Sequence, residues 1–177
     1  MQPSLNYLYF YLCKGHLYSS NLKITLLSIG KSNIDFVSLA EKYYLSKINY
    51  FAKVDLLKEE PKRASSAESD YVKKTEADII LKNLSSFDYL VLFDERGVHL
   101  TSRELANFIQ NLQMINVKRS LWVIGGSYGF HSSVYTKAHK LISLSKLTLS
   151  HQIVRIVVLE QFYRAFSILN NHPYHHD

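Results

Sequence analysis

LSKLTLSHQIVRIVVLEQFYRAFSILNNHPYHHD, residues 144–177, joins two stretches of different character. Leu144 to His151 mixes apolar side chains with hydroxyls and one lysine. Gln152 to Leu169 is apolar nearly all round, through Ile153, Val154, Ile156, Val157, Val158, Leu159, Phe162, Tyr163, Phe166 and Ile168. That spacing predicts a helix, with Ser150 as its cap. A helix with so little polar face in a small domain needs a second covering surface, and a second copy of the chain would supply it. The apolar run Leu141–Leu144 just upstream predicts a strand, so the segment reads as strand, loop and helix, the repeating unit of a parallel α/β sheet.

The same unit recurs towards the N-terminus. Ile24, Leu26 and Leu27 before Gly30 predict a strand, and apolar residues at helical spacing predict a helix over Ile34–Lys47. A second strand is expected over Tyr50–Leu56, then a polar loop from Lys58 to Ser69 containing Pro61, Lys62 and Arg63, and a helix from Asp70 to Leu84. Tyr89–Phe93 predicts a strand that turns at Asp94-Glu95-Arg96-Gly97. Thr101 and Glu104 have capping-box spacing for a helix to Met114. Leu121–Ile124 predicts a further strand ending in Gly125-Gly126, followed by a short helix around Ser133–His139. Strands alternating with helices predict an α/β domain with a mainly parallel sheet and helices on both faces.

Composition narrows the class. The 177 residues are 47% hydrophobic and 20% charged, which suits one globular domain. Cys13 is the only cysteine, which excludes an internal disulfide, and no metal site is expected. A net charge of +6 and a pI near 9.3 favour a polyanionic partner. The apolar cluster Tyr7–Leu12 is far shorter than the about 20 residues that span a bilayer, so no membrane partner is expected. Residues 1–21 read as an extension, and 22–177 as the domain.

Ligands of parallel α/β sheets collect at the carboxyl ends of strands, here Phe93–Gly97, Gly125–Gly129 and Leu144 onward. Glycines at 125, 126 and 129 permit close approach of backbone to a ligand, and a tight strand-to-helix turn explains them equally well. The lysine and Ser/Thr of a phosphate-binding P-loop are absent, and so is a dinucleotide fingerprint. The Leu144–His151 stretch suits an adenine ring held by main-chain hydrogen bonds, and it equally suits a strand end entering a helix.

The KITLLSIGK start at Lys23, the LFDERG turn, the double glycine and the 144–177 segment, in this order, resemble the ribosomal RNA large subunit methyltransferase H family of the SPOUT, or α/β-knot, superfamily. The resemblance covers residues 22–177. It implies a C-terminal trefoil knot, a homodimer with sites near the subunit interface, S-adenosylmethionine as cofactor, and methylation of N3 of a pseudouridine in 23S ribosomal RNA on the assembled ribosome, in the cytoplasm. Carried over position by position, it implies cofactor contacts at Phe93, Gly125, Leu144, Ser145, Lys146, Leu147, Thr148 and Leu149, with Lys146 acting through its backbone. The chain departs from the family at Ser127 and Tyr128, where an acidic residue or Asn is frequent, and at His176, where a basic residue is frequent. Family members usually start at the position of Leu22, so residues 1–21 are expected to arise from a misplaced start codon.

Removal of the imide proton and alignment of the nitrogen are the tasks left to the protein. His151, Arg164, Tyr174 and His175 are the candidate catalytic groups. Plainer alternatives stand beside them: helix capping or core hydrogen bonding for His151, an i,i+4 ion pair with Glu160 for Arg164, and a frayed end after Pro173 for Tyr174. Three other functions stay open: methylation of another RNA nucleotide, a non-catalytic ribosome-binding factor, and a generic flavodoxin-like nucleotide binder.

Overall fold

The computed structural model describes residues 22–30, 34–61 and 68–174. The expected extension 1–21, the loop residues Lys62 and Arg63, and the tail residues His175 and His176 lie outside the described residues. Five strands, β1 (Lys23–Ile29), β2 (Val54–Glu59), β3 (Tyr89–His99), β4 (Arg119–Ile124) and β5 (Lys140–Ser143), form one sheet in the order β2-β1-β4-β3-β5, every pairing parallel. The helices between and after them are α1 (Asp35–Ile48), α2 (Ser69–Leu84), α3 (Ser102–Met114), α4 (Ser132–Tyr135) and α5 (His151–Leu169).

Side-chain alternation along the strands sorts the core into two layers. Ile24, Leu26, Val91, Trp122 and Ile124 face one side and pack against Leu105 and Ile109 of α3 and Val158, Leu159 and Phe162 of α5, with Ile48 of α1 beside them. Leu27, Ile29, Leu90, Leu92, Leu121 and Val123 face the other side, covered by Ala77 and Ile80 of α2 and Val134 of α4. Helices therefore cover both faces of a parallel sheet. Fully buried Leu, Ile and Phe side chains of this kind contribute roughly 1.5–3 kcal/mol each.

Local sequence sets the helix ends. In α3 the Thr101 hydroxyl accepts from the Glu104 amide at 3.2 Å and the Glu104 carboxylate accepts from the Thr101 amide at 2.7 Å, the expected capping box. Asn116 and Asn171, just past α3 and α5, take positive φ values of 63° and 52°, as asparagines ending helices do. Ser150 caps α5, and the helix starts at His151, one residue earlier than expected.

Three features differ from the sequence reading. Tyr50–Lys53 form a turn that hydrogen-bonds back to Ile48, so β2 begins at Val54 and continues to Glu59. Asp94–Gly97 is not a free turn: β3 runs through it to His99, with a register shift against β5 between Phe93 and Val98. Finally, α5 is not apolar all round. Its buried face includes the fully buried Arg155, while Ile153 is 38% exposed and Glu160, Gln161 and Arg164 are half-buried.

Candidate active site

The strand order brings the carboxyl ends of β1, β4, β3 and β5 side by side. The chain leaves β5 at the sheet edge, crosses the tips of β3 and β4, and starts α5 against the tip of β1, where His151 Nε2 lies 3.1 Å from Ser28 Oγ. This crossing roofs a cleft of about 630 Å³. Phe93, Gly125, Leu144, Ser145, Lys146, Leu147, Thr148 and Leu149, all eight residues singled out for a cofactor, line it together with His151. Leu144, Ser145 and Leu149 are half-buried, and Lys146, Leu147 and Thr148 are exposed. Ser145 stiffens the crossing, since its hydroxyl accepts from the Leu147 amide at 2.8 Å and its carbonyl accepts from Ser143 Oγ at 3.2 Å.

A second cavity of about 250 Å³ adjoins the cleft and shares Phe93, Ile142, Ser143 and Leu144 with it. Thr101, Ser102 and Gln161 give it a polar edge, and Leu105, Val158 and Phe162 an apolar wall. No pattern in the sequence pointed to it, because its walls come from α3 and α5, far apart in the chain.

The glycine turn is held from below. Glu76 on α2 is 3% exposed, and its carboxylate accepts from the Gly126 amide at 3.1 Å. A Cβ at Gly126 would meet that carboxylate and one at Gly125 would sit 2.8 Å from the Phe130 ring, so a larger residue at either position makes the Glu76 or Phe130 side chain shift. Glu76 was missed in the sequence, although it stands four residues after Val72 and four before Ile80, in step with the buried face of α2.

At the cleft mouth Asp94 accepts from Arg96 Nε at 3.1 Å and from the Tyr135 hydroxyl, while the Arg96 guanidinium lies 4.5 Å from the Tyr135 ring centre and also donates to its hydroxyl. Burial pushes the Asp94 carboxyl up, but hydrogen bonds from Arg96 and Tyr135 outweigh it and leave the group below its ordinary value. Burial and the hydrogen bond to Asp94 push the Tyr135 phenol up from 10.0 to about 12. The signs differ. Asp94 lends stability at neutral pH that is lost as pH falls through its depressed value, whereas Tyr135 lends stability that is full below 10.0 and lost as pH rises through about 12. In an ultraviolet titration the Tyr135→Phe variant is expected to lack a late-ionising phenol. An unchanged curve above pH 11 or so would contradict the clamp.

Two other candidates sit elsewhere. Arg164 pairs with Glu160 at 2.6 Å, as the i,i+4 spacing suggested, and its guanidinium lies 5.1 Å from the Tyr174 ring centre. Tyr174 packs on Tyr163 with ring centroids 4.2 Å apart, and burial, then Glu160, raises its phenol above the ordinary value. Neither lines the cleft, and Arg164 stands about 20 Å along α5 from His151 at 1.5 Å per residue. Among the described residues no group of three or more His, Cys, Asp or Glu could hold a metal ion, and no helix is long and apolar enough to cross a membrane.

Fold and cleft together define an α/β protein with a cleft of small-molecule size at the tips of its parallel strands. The family profile described as "Predicted SPOUT methyltransferase" matches residues 22–175. The chain is 38% identical over 157 residues to the ribosomal RNA large subunit methyltransferase H of Parabacteroides distasonis, an alignment covering 88% of this chain and 100% of that one. It is 37% identical over 155 residues to the protein of the same name from Geotalea daltonii, covering 88% and 100%, and 33% identical over 158 residues to that from Halothermothrix orenii, covering 87% and 99%. Among solved structures it is similar in fold to a probable methylase family protein from Haemophilus influenzae Rd KW20, with a TM-score of 0.52, 15% identity, and coverage of 86% of this chain and 68% of that one. The chain belongs to the ribosomal RNA large subunit methyltransferase H family of SPOUT methyltransferases.

Proposed function

We propose that this protein transfers a methyl group from S-adenosylmethionine to N3 of a pseudouridine in 23S ribosomal RNA, acting in the cytoplasm on the assembled ribosome. The observation that carries this reading is the convergence of Phe93, Gly125 and residues 144–149, from three separate strand ends, on one cleft of about 630 Å³. That size lies within the 300–1,000 Å³ of ordinary small-molecule sites. The donor set fits the cofactor: Phe93, Leu144 and Leu149 offer apolar contact, Ser145 and Thr148 hydroxyls, and the 144–149 backbone amides and carbonyls. When bound, S-adenosylmethionine supplies an electrophilic methyl group on a sulfonium centre.

What remains for the chain's own residues is to hold the acceptor base, exclude water and manage one proton. His151 is the candidate at the cleft itself. Arg164 and Tyr174 belong to the reading as groups reaching the cleft of a second copy, because the distance along α5 keeps a protomer's own Arg164 away, and His175 as a further ionisable group of the tail. The half-buried Ile156 and Val157 beside the exposed Ile153 are the apolar surface such a homodimer would cover. The family's trefoil knot is part of the same reading, with the crossing 144–150 and α5 as the threaded segment.

The test is methyl transfer from labelled cofactor to intact ribosomes, free large subunits and naked ribosomal RNA, with nucleoside mass spectrometry of the product. Intact ribosomes are expected to be the best substrate and 3-methylpseudouridine the product. A different methylated nucleoside points to another RNA target, and absence of cofactor binding by calorimetry overturns the enzyme reading in favour of a ribosome-binding factor.

A further inference from the structure

The chain carries a net charge of +6, yet its excess of cations is not found at the cleft. The charged residues that line the cleft are Asp94, Glu95, Arg96 and Lys146, two of each sign, so its walls add nothing to the balance. Cations gather instead at the opposite pole, where the strands begin. β1 starts at Lys23, β2 follows directly on Lys53, β4 starts at Arg119 behind Lys118, and β5 starts at Lys140. Only β3 is entered through an acid, Asp88.

Strand pairing turns these positions into a row. Lys23 stands opposite Arg119 in the β1–β4 register, and Lys53 lies on the other side of Lys23, its carbonyl accepting from the Ile24 amide at 3.2 Å. Alternation puts Lys53, Lys23 and Arg119 on the same face of the sheet, roughly 10 Å from end to end at the usual strand spacing. The backbone beneath them is fixed. The Asp88 carboxylate accepts from the Lys118 amide at 3.1 Å and the Arg119 amide at 2.9 Å, and the Lys118 carbonyl accepts from the Lys23 amide at 2.8 Å. Lys23 is held by Asp55 at 2.6 Å, whereas Lys53, Lys118 and Arg119 are exposed and have no ion pair among the described residues. Like charges this close repel one another, a cost that a polyanion lying across them removes.

A phosphate backbone is the polyanion that such a row fits, because it repeats a single negative charge and is met by lysine and arginine with release of counterions. We propose that the amino pole of the sheet is a second RNA-docking face, where Lys53, Lys118 and Arg119 grip phosphates of ribosomal RNA outside the segment whose base enters the cleft. The identity of the RNA rests on the methyltransferase reading; the phosphate chemistry of the face does not. β4 has six residues, so at about 3.3 Å each the row lies roughly 20 Å from the protomer's own cleft. The face therefore sets affinity and placement on the ribosome, and leaves cofactor binding and the chemical step alone.

The experiment compares Lys118→Gln/Arg119→Gln with Lys42→Gln/Lys74→Gln, exposed lysines of α1 and α2 that give the same change in charge away from the row. Binding of the full-length proteins to intact ribosomes and to protein-free ribosomal RNA is measured between about 50 and 200 mM salt. The pole variant is expected to bind both RNAs at least about tenfold more weakly than the wild type, and to flatten the plot of log affinity against log salt by about 1.5 to 2, the share of two phosphate contacts. The helix variant is expected to stay within about threefold of the wild type. Thermal melts and S-adenosylmethionine calorimetry should match the wild type in both, and methyl transfer by the pole variant should fall at low ribosome concentration and recover at saturation. Equal losses in the two variants, or an unchanged salt slope in the pole variant, overturn the proposal. A loss on intact ribosomes with unaltered binding to protein-free RNA assigns the face to an acidic protein and overturns it as well. A wild type that binds RNA through this pole but transfers no methyl group refutes the methyltransferase reading and leaves the docking face standing.

Discussion

Gly97→Ala is expected to unfold the protein about 3 kcal/mol more easily than the wild type, the upper part of the usual overpacking range. A Cβ at Gly97 would sit 2.5 Å from the Ile142 amide nitrogen and 2.6 Å from the carbonyl carbons of Leu141 and Ile142. These are backbone atoms of β5, so no rotamer change relieves the clash. The strand itself must move away from β3 at the point where pairing resumes after the register shift, at Val98 and Ile142. For a domain of this size that cost lowers the melting temperature by roughly 6–12 °C. The effect should extend beyond stability, because β5 carries the 144–149 crossing on its end: affinity for S-adenosylmethionine is expected to fall at least about tenfold, given 1.4 kcal/mol per decade. Thermal melts and calorimetry check both parts. A variant that melts within about 2 °C of the wild type and binds cofactor normally would mean that Gly97 does not set the β3–β5 spacing.

That glycine also illustrates what the sequence conveyed and what it concealed. Asp-Glu-Arg-Gly has the composition of a turn, and so the strand was expected to stop at Phe93. The structure continues it to His99 because β5, an edge strand of four residues, needs a partner beyond the irregularity. Tyr50 and Phe51 misled in the opposite direction: aromatic residues favour strands, but here they sit in a turn, with Phe51 against Tyr163 and the His172 ring, 5.4 Å from the latter, and Tyr50 exposed. The alternation of strands and helices was legible because periods of 2 and 3.6 are properties of short windows, and the capping box was legible for the same reason. Strand order and the second cavity were not, since they depend on which distant segments meet.

The buried carboxylates belong between these cases. A glutamate on an amphipathic helix is ordinarily solvated, and nothing local marks Glu41 or Glu76 as different. Their register does: Val37, Glu41 and Ile48 share one face of α1, and Val72, Glu76 and Ile80 one face of α2. Arg155 likewise falls in step with Val158, Leu159, Phe162 and Phe166. A charge in the place of a core residue is a signal that can be read from spacing alone. It says that a partner of opposite sign or a backbone end waits inside, without saying which.

The energetics of such a charge lead to the other large effect expected. Glu41→Ala leaves the Arg155 guanidinium, fully buried and already pushed below its ordinary pKa by burial, without the carboxylate that opposes that shift. Breaking a buried pair from one side costs about 3–5 kcal/mol, and Arg155→Met should cost a similar amount by stranding Glu41. Lys58 softens the second loss more than the first, because it contacts Glu41 and its side chain, 38% exposed, can turn to water. Lys58→Ala should accordingly cost no more than about 1 kcal/mol. Removing both charges is another matter: Glu41→Leu with Arg155→Met replaces an imperfect ion pair by apolar volume, and the pair is expected to lie within about 2 kcal/mol of the wild type. Urea titrations of the four proteins close the cycle, and single-variant costs that simply add to within about 0.5 kcal/mol would show that the two groups do not act as a pair.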